Sequence, residues 1–315
     1  MNLPPDRCNV ATEKRNPRTM DLHALSVEEI ARVINREDRD VILALKRASK
    51  RLTRLISAIE PGFLSGGRLI YVGAGTSGRL GVLDASEAPP TFCVPSDRIV
   101  GIIAGGDAAL RKSSEGAEDD PRGAWTELDT LSLTDRDAVI AIAAGGTTPY
   151  ALGALDFCKQ ESRPASQRSL TAILTCSDLA AAAPSADHVI VLKTGPEVLT
   201  GSTRMKAGTA TKLALNTIST TLMVRSGRVY QNLMVDVRAT NAKLRDRAAR
   251  IVATLTGLSR DECFTLLDRA AGSAKAAVLT HRLGIDPAEA QHRLDAANGW
   301  LDVALGERDA VIEGG

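Results

Sequence analysis

From Arg68 to Lys193 the chain alternates short β-branched and apolar runs with helix-like sequence, and each run ends in small residues. No other feature constrains the fold as tightly. The runs fall at 69–72, 99–104, 138–143, 172–175 and 189–192, and they are continuously apolar rather than alternating polar with apolar. A strand wetted on one face must alternate, whereas a strand covered on both faces need not. The pattern therefore predicts an α/β fold, a five-stranded parallel sheet flanked by helices in a three-layer sandwich.

On the N-terminal side, Ser26 and Glu29 have the spacing of a capping box, and Ile30, Val33 and Ile34 keep helical period. A second helical run, Val41, Leu45, Ala48, Leu52, Leu55 and Ile59, is expected to stop before Pro61, because proline lacks an N–H and crowds the preceding turn. After Gly201 the strand signals cease. Leu213, Leu215, Ile218 and Leu222 continue a helix ending at Gly227, and Ser259 before Glu262 and Asp286-Pro287 mark further helix starts. The expected domains are an N-terminal helical segment (1–60), an α/β domain (61–227) and a small helical domain (228–315).

With 39 basic against 38 acidic residues, no global field draws this chain to nucleic acid or to an anionic membrane. Any anion must be held by local geometry. Cys8, Cys93, Cys158, Cys176 and Cys263 form no C-x-x-C pair and have no histidine at ligand spacing, which predicts reduced thiols and no zinc site. The polar start lacks the apolar core of a signal peptide, and no run reaches the roughly 20 apolar residues of a membrane span. A cytoplasmic location is expected.

Two glycine-rich loops follow strands. The first reads Gly73-Ala74-Gly75-Thr76-Ser77-Gly78, and the second Gly145-Gly146-Thr147-Thr148-Pro149, with Pro149 placed to open a helix. Glycines let backbone approach a ligand, and hydroxyls beside the free amides of a helix start suit an anion. Gly73, Gly75 and Gly78 also satisfy the dinucleotide pattern G-x-G-x-x-G. An acidic residue about 20 positions on should then meet the ribose, yet the next strand ends at Ile103 to Asp107, well beyond that interval. A purely structural turn is the other alternative. A third cluster, Glu197, Ser202, Thr203, Arg204 and Lys206, follows the fifth strand, where a site or a capped helix start would both fit.

Two acids stand out. Pro89-Pro90 fix the backbone just beyond Glu87, which places its carboxylate near the first loop. Glu118 reads on its own as an acid complementing a helix start. His23, His188, His281 and His292 are isolated and receive no catalytic role, and Trp125 and Trp300 read as packing residues.

Taken in order, Thr12-Glu13-Lys14-Arg15-Asn16-Pro17, Ile34-Asn35-Arg36-Glu37-Asp38, the first glycine loop, Asp84-Ala85-Ser86-Glu87-Ala88-Pro89-Pro90, Gly116-Ala117-Glu118-Asp119 and the stretch 201–209 resemble the N-acetylmuramic acid 6-phosphate etherases over nearly the whole chain. The resemblance implies a sugar isomerase (SIS) domain, a helical domain after it, and a homodimer without cofactor or metal. It also implies cleavage of the D-lactyl ether of N-acetylmuramic acid 6-phosphate during cell-wall amino-sugar recycling. The family's two catalytic acids fall on Glu87 and Glu118. Gly75, Thr76, Ser77, Ser86, Gly146, Thr147, Thr148, Glu197, Ser202, Thr203 and Lys206 are the corresponding substrate-binding expectations. One departure concerns the second loop, where the family carries Ser-Gly-Arg-Thr-Pro: Gly145 and Thr147 stand in place of serine and arginine. A sugar-phosphate isomerase, or a non-catalytic SIS-domain sensor, would use the same loops.

Overall fold

A computed structural model describes residues 7–112, 114–178, 183–237 and 241–309, so the first six residues of the polar start lie outside it. Helix α1 (Val27–Glu37) opens on the predicted capping box: the Ser26 hydroxyl accepts from the Glu29 N–H, and the Glu29 carboxylate accepts from the Ser26 N–H. Helix α2 (Arg39–Leu64) follows. Next come β1 (Leu69–Gly73), α3 (Gly75–Phe92), β2 (Ile99–Ile103), α4 (Trp125–Thr130), β3 (Ala138–Ile142), α5 (Pro149–Cys158), β4 (Leu170–Thr175), β5 (His188–Val191) and α6 (Lys206–Arg225). The five strands are parallel in the order β2-β1-β3-β4-β5. Every residue of β1 and β3 is buried, which is why these runs carry no polar alternation. Each buried Leu, Ile or Val contributes about 1.5–3 kcal/mol relative to exposure.

Pro61, read as a stop, lies inside a helix instead. Helix α2 continues through Pro61 to Leu64, because its last turn is docked. Phe63 is fully buried, the Arg98 guanidinium lies 4.0 Å from its ring centroid, and the Ser65 N–H and hydroxyl both donate to the Pro61 carbonyl. That anchoring outweighs a penalty of about 3 kcal/mol for an interior proline. Helix α3 likewise passes through Pro89 and Pro90 and closes with Cys93 N–H donating to Pro89 O. Glu87 therefore sits within a helix and not in a loop beside Gly75.

The chain divides into two compact units. One comprises the residues up to Ser86 together with Ser96–Ser219, and the other joins Glu87–Pro95 to the chain from Thr220 onward. The two N-terminal helices group with the sheet. In the second unit, α7 (Ala242–Thr256), α8 (Arg260–Arg269), α9 (Ala274–Leu283), α10 (Pro287–Ala296) and α11 (Leu301–Ala304) pack around Val252, Cys263, Leu267, Val278, Leu279 and Leu294. Ser259 with Glu262 forms the second predicted capping box, and Asp286 caps α10 ahead of Pro287. The turns after α8 and α10 repeat one device. Ala271-Gly272 and Asn298-Gly299 are left-handed, and the N–H groups of Gly272 and Gly299 return to Leu267 O and Leu294 O. Buried Lys275 ties this unit together, its ammonium donating to Gly227 O, Gly299 O and the Asp236 carboxylate at 2.9, 2.6 and 2.7 Å.

Candidate active site

Strand β1 is flanked by β2 on one side and β3 on the other, so the loops after β1 and β3 open side by side, with Gly73 paired to Ile142. A crevice at such a switch point is where open α/β sheets bind ligands. The glycines of the first loop have separate jobs. A Cβ on Gly78 would stand 2.6 Å from both Gly73 O and Ile103 Cγ1, so this glycine lets the first turn of α3 press onto the sheet. Gly75 is left-handed at φ +51°, and a Cβ there would stand 3.2 Å from Oε1 of Glu118. The carboxylate of Glu118 thus lies close to Gly75 at the start of α3, whose next residues, Thr76 and Ser77, are half-buried.

Glu118 follows a short 3-10 turn (Glu115–Ala117), and its carbonyl accepts from the Tyr150 N–H in the first turn of α5. Helix α4 begins only at Trp125, so the acid does not serve as the helix-start residue that local sequence suggested. Its backbone is instead held between the two loops. Helix α5 starts as predicted, with Thr148 at the N-cap and Pro149 in the first turn, and the Thr148 hydroxyl makes no capping bond. Gly146 takes φ +78° and donates to Ala143 O at 2.9 Å. The third loop joins this region through α6: a Cβ on Gly208 would stand 3.4 Å from Thr76 Cγ2 and 3.2 Å from Thr203 O. The fold therefore gathers Gly75, Thr76, Glu118 and Thr203 in one neighbourhood of the first unit.

Other predicted residues are engaged elsewhere. Glu197 is fully buried and accepts from the Lys206 and Ala207 N–H groups at 2.9 and 2.8 Å, occupying the N-terminus of α6 itself. Burial raises its pKa, and those two amide bonds oppose the rise. Lys206, also fully buried, directs its ammonium to Glu37 and Asp40, each at 3.2 Å. Ser86 donates its hydroxyl to Leu83 O. Glu87 is exposed on α3 and groups with the second unit, whereas Gly75 and Glu118 lie in the first.

Residue-by-residue reading of the sequence missed the buried acids. Glu37 is held by Asn16, Arg18 and Lys206, and although burial pushes its pKa up, those three hydrogen bonds outweigh it and hold the value at about 2. Asp84 accepts from Tyr71, Asn216 and Ser219. The signal for Asp84 was an acid following the small and apolar run 80–83 in mid-helix, but nothing local names its partners. The second unit holds a cavity of about 780 Å³ whose lining includes Cys93, Arg228, Asp236 and Lys275 and none of the predicted site residues.

These features define an α/β protein whose glycine-rich loops meet at the carboxyl edge of its sheet, with the Glu118 carboxylate close to the first of them. Over 296 residues the chain is 47% identical to the N-acetylmuramic acid 6-phosphate etherase of Salmonella agona, covering 94% of this chain and 98% of that protein. It is 46% identical over 303 residues to the enzyme of the same name from Caldanaerobacter subterraneus subsp. tengcongensis, covering 96% and 97%. The chain belongs to the N-acetylmuramic acid 6-phosphate etherase family. The glucokinase regulatory protein N-terminal SIS domain matches residues 47–159, and the C-terminal lid domain of glucokinase regulatory protein matches residues 231–278. Phosphoheptose isomerase from Neisseria gonorrhoeae superposes with a TM-score of 0.45 at 14% identity, over 62% of this chain and 97% of that one.

Proposed function

We propose that this chain cleaves the D-lactyl ether of N-acetylmuramic acid 6-phosphate, giving N-acetylglucosamine 6-phosphate and D-lactate in cell-wall amino-sugar recycling. The observation that carries the chemistry is the Glu118 carboxylate over Gly75 at the start of α3. An ether oxygen at C3 leaves poorly. Opening the sugar to its aldehyde makes the C2 proton acidic, because the carbanion is an enolate. Glu118 removes that proton, the C3–O bond breaks as an acid protonates the departing lactate oxygen, and water then adds at C3 while C2 is reprotonated. Two carboxylates in opposite protonation states suit this sequence. The phosphate takes no part in bond making. Held by the first amides of α3 with Thr76, Ser77 and Thr148, it converts binding into orientation of C2 and C3.

Glu87 is the acid in this scheme. Glu87 is exposed on α3 and free to face a second copy, and in this reading the pair is completed by two copies, Glu87 of one subunit serving the Glu118 loop of the other in a homodimer. No cofactor or metal is needed, and the cytoplasm, where the five thiols stay reduced, is the compartment that fits.

Incubating purified protein with N-acetylmuramic acid 6-phosphate and assaying D-lactate tests the reading: release that Glu118→Gln abolishes supports it, and no release refutes it. The departures at Gly145 and Thr147 favour one second reading, a sugar-phosphate sensor, which would bind the same compound without turnover.

A further inference from the structure

Residues 7–24 form three short 3-10 turns rather than a long helix, yet they are fastened at several points to the loops at the sheet's carboxyl edge. Thr12 O accepts from the Gly201 N–H at 3.1 Å. The Thr19 hydroxyl donates to Val198 O at 2.9 Å, and the Asn16 amide reaches Pro196 O at 3.5 Å. Val10, 1% exposed, has its Cγ1 3.4 Å from where a Cβ on Gly145 would stand. The segment therefore crosses both the loop after β3 and the loop after β5.

Beneath it lies a charge cluster that binds three stretches of sequence far apart in the chain. Asn16 donates to Glu37 at 2.8 Å, Arg18 bridges Glu37 and Asp40 at 2.5 and 2.7 Å, and the Lys206 ammonium meets the same two carboxylates from α6. Two cations face two carboxylates, so the cluster is internally neutral. Well-packed apolar residues would stabilise such a site at least as well, since desolvating ion pairs offsets most of their attraction. What the cluster adds is a single geometry: Lys206 and its neighbour Glu197 bracket the loop, one through the ion pairs and the other through the α6 amides.

We infer that Asn16, Thr19, Glu37 and Lys206 are positioning residues that hold the loop at 194–205 so that Ser202 and Thr203 meet the sugar phosphate. The segment 7–24 is thereby a wall of the site. Glu197 and Lys206 act on the ligand through that loop rather than by touching it, and the N-terminus of α6, filled by Glu197, is closed to the phosphate. This rests on the reading of the loops as a sugar-phosphate site.

The test uses Asn16→Ala, which leaves Glu37 its two cations, and Thr19→Val, which keeps shape and removes one hydroxyl. Binding of N-acetylglucosamine 6-phosphate is measured by calorimetry on the full chain, with melting temperature and lactate-release kinetics beside it. Each variant is expected to weaken Kd and raise KM by about tenfold while kcat stays within about twofold, the loss of one hydrogen bond's worth of orientation. An unchanged Kd in both variants, with a lowered melting temperature, would overturn the inference and leave the cluster as scaffold only. Lactate release by the unaltered protein decides the etherase reading separately, because the binding comparison does not depend on turnover.

Discussion

Gly75→Ala separates the claim about Glu118 from any general effect on folding. Gly75 sits at φ +51°, and the added methyl would stand 3.2 Å from Glu118 Oε1, a separation at which the neighbour must give by a few tenths of an ångström. A left-handed alanine costs roughly 1–2 kcal/mol, which lowers the melting temperature by roughly 2–8 °C for a unit of this size. Activity should fall much further. A general base displaced from its working position loses on the order of a hundredfold in kcat, since catalysis of this kind depends on sub-ångström placement. Steady-state lactate release and calorimetric melting on the same samples give both numbers. Two comparisons bracket the result. Gly116→Ala has open space and no positive φ, so both quantities should hold, whereas Gly78→Ala drives a methyl to 2.6 Å from a backbone carbonyl and should fail to fold. A Gly75→Ala protein with normal kcat and a lowered melting temperature would refute the assignment of Glu118 as the base.

Glu37 drops from 4.5 to about 2 in the folded chain, so its contribution is full above about pH 4.5 and disappears as pH falls toward 2. Chemical denaturation should lose on the order of 3 kcal/mol over that window, and Glu37→Gln should flatten the loss. Glu87→Gln and Glu118→Gln should each lower kcat by on the order of a hundredfold or more. Co-expressed, the two variants should recover roughly a quarter of normal activity, because half the dimers are mixed and each mixed dimer keeps one intact pair; no recovery would exclude sharing between copies. Lys275→Met leaves Asp236 with Arg228 alone and the Gly227 and Gly299 carbonyls without this donor, and thermal melting should show a loss of about 3 kcal/mol.

The sheet was legible because burial on both faces leaves a direct mark in composition: the runs at 69–72 and 138–143 differ from β1 and β3 by a residue at one end. The capping boxes at Ser26 and Ser259 were legible because the device is local, two side chains three residues apart. Pro61 and Pro89 misled for the opposite reason, since what carries α2 past Pro61 is the burial of Phe63 under Arg98, a contact 35 residues away in sequence. The same limit applies at the site. The glycine loop announces an anion by local chemistry, and Glu118 looked like a helix-start acid until tertiary structure put it over Gly75. Glu197 and Lys206 looked like ligand groups because their partners, α6's own amides and acids 169 and 166 residues distant, leave no local trace.

The elimination mechanism is tested most directly by running the reaction in water enriched in ¹⁸O and weighing both products. Cleavage of the C3–O bond followed by hydration predicts a solvent oxygen at C3 of the sugar phosphate and none on D-lactate. Label in the lactate would mean that water attacked the lactyl carbon, a displacement with no use for a C2 base, and the role given to Glu118 would fall with it.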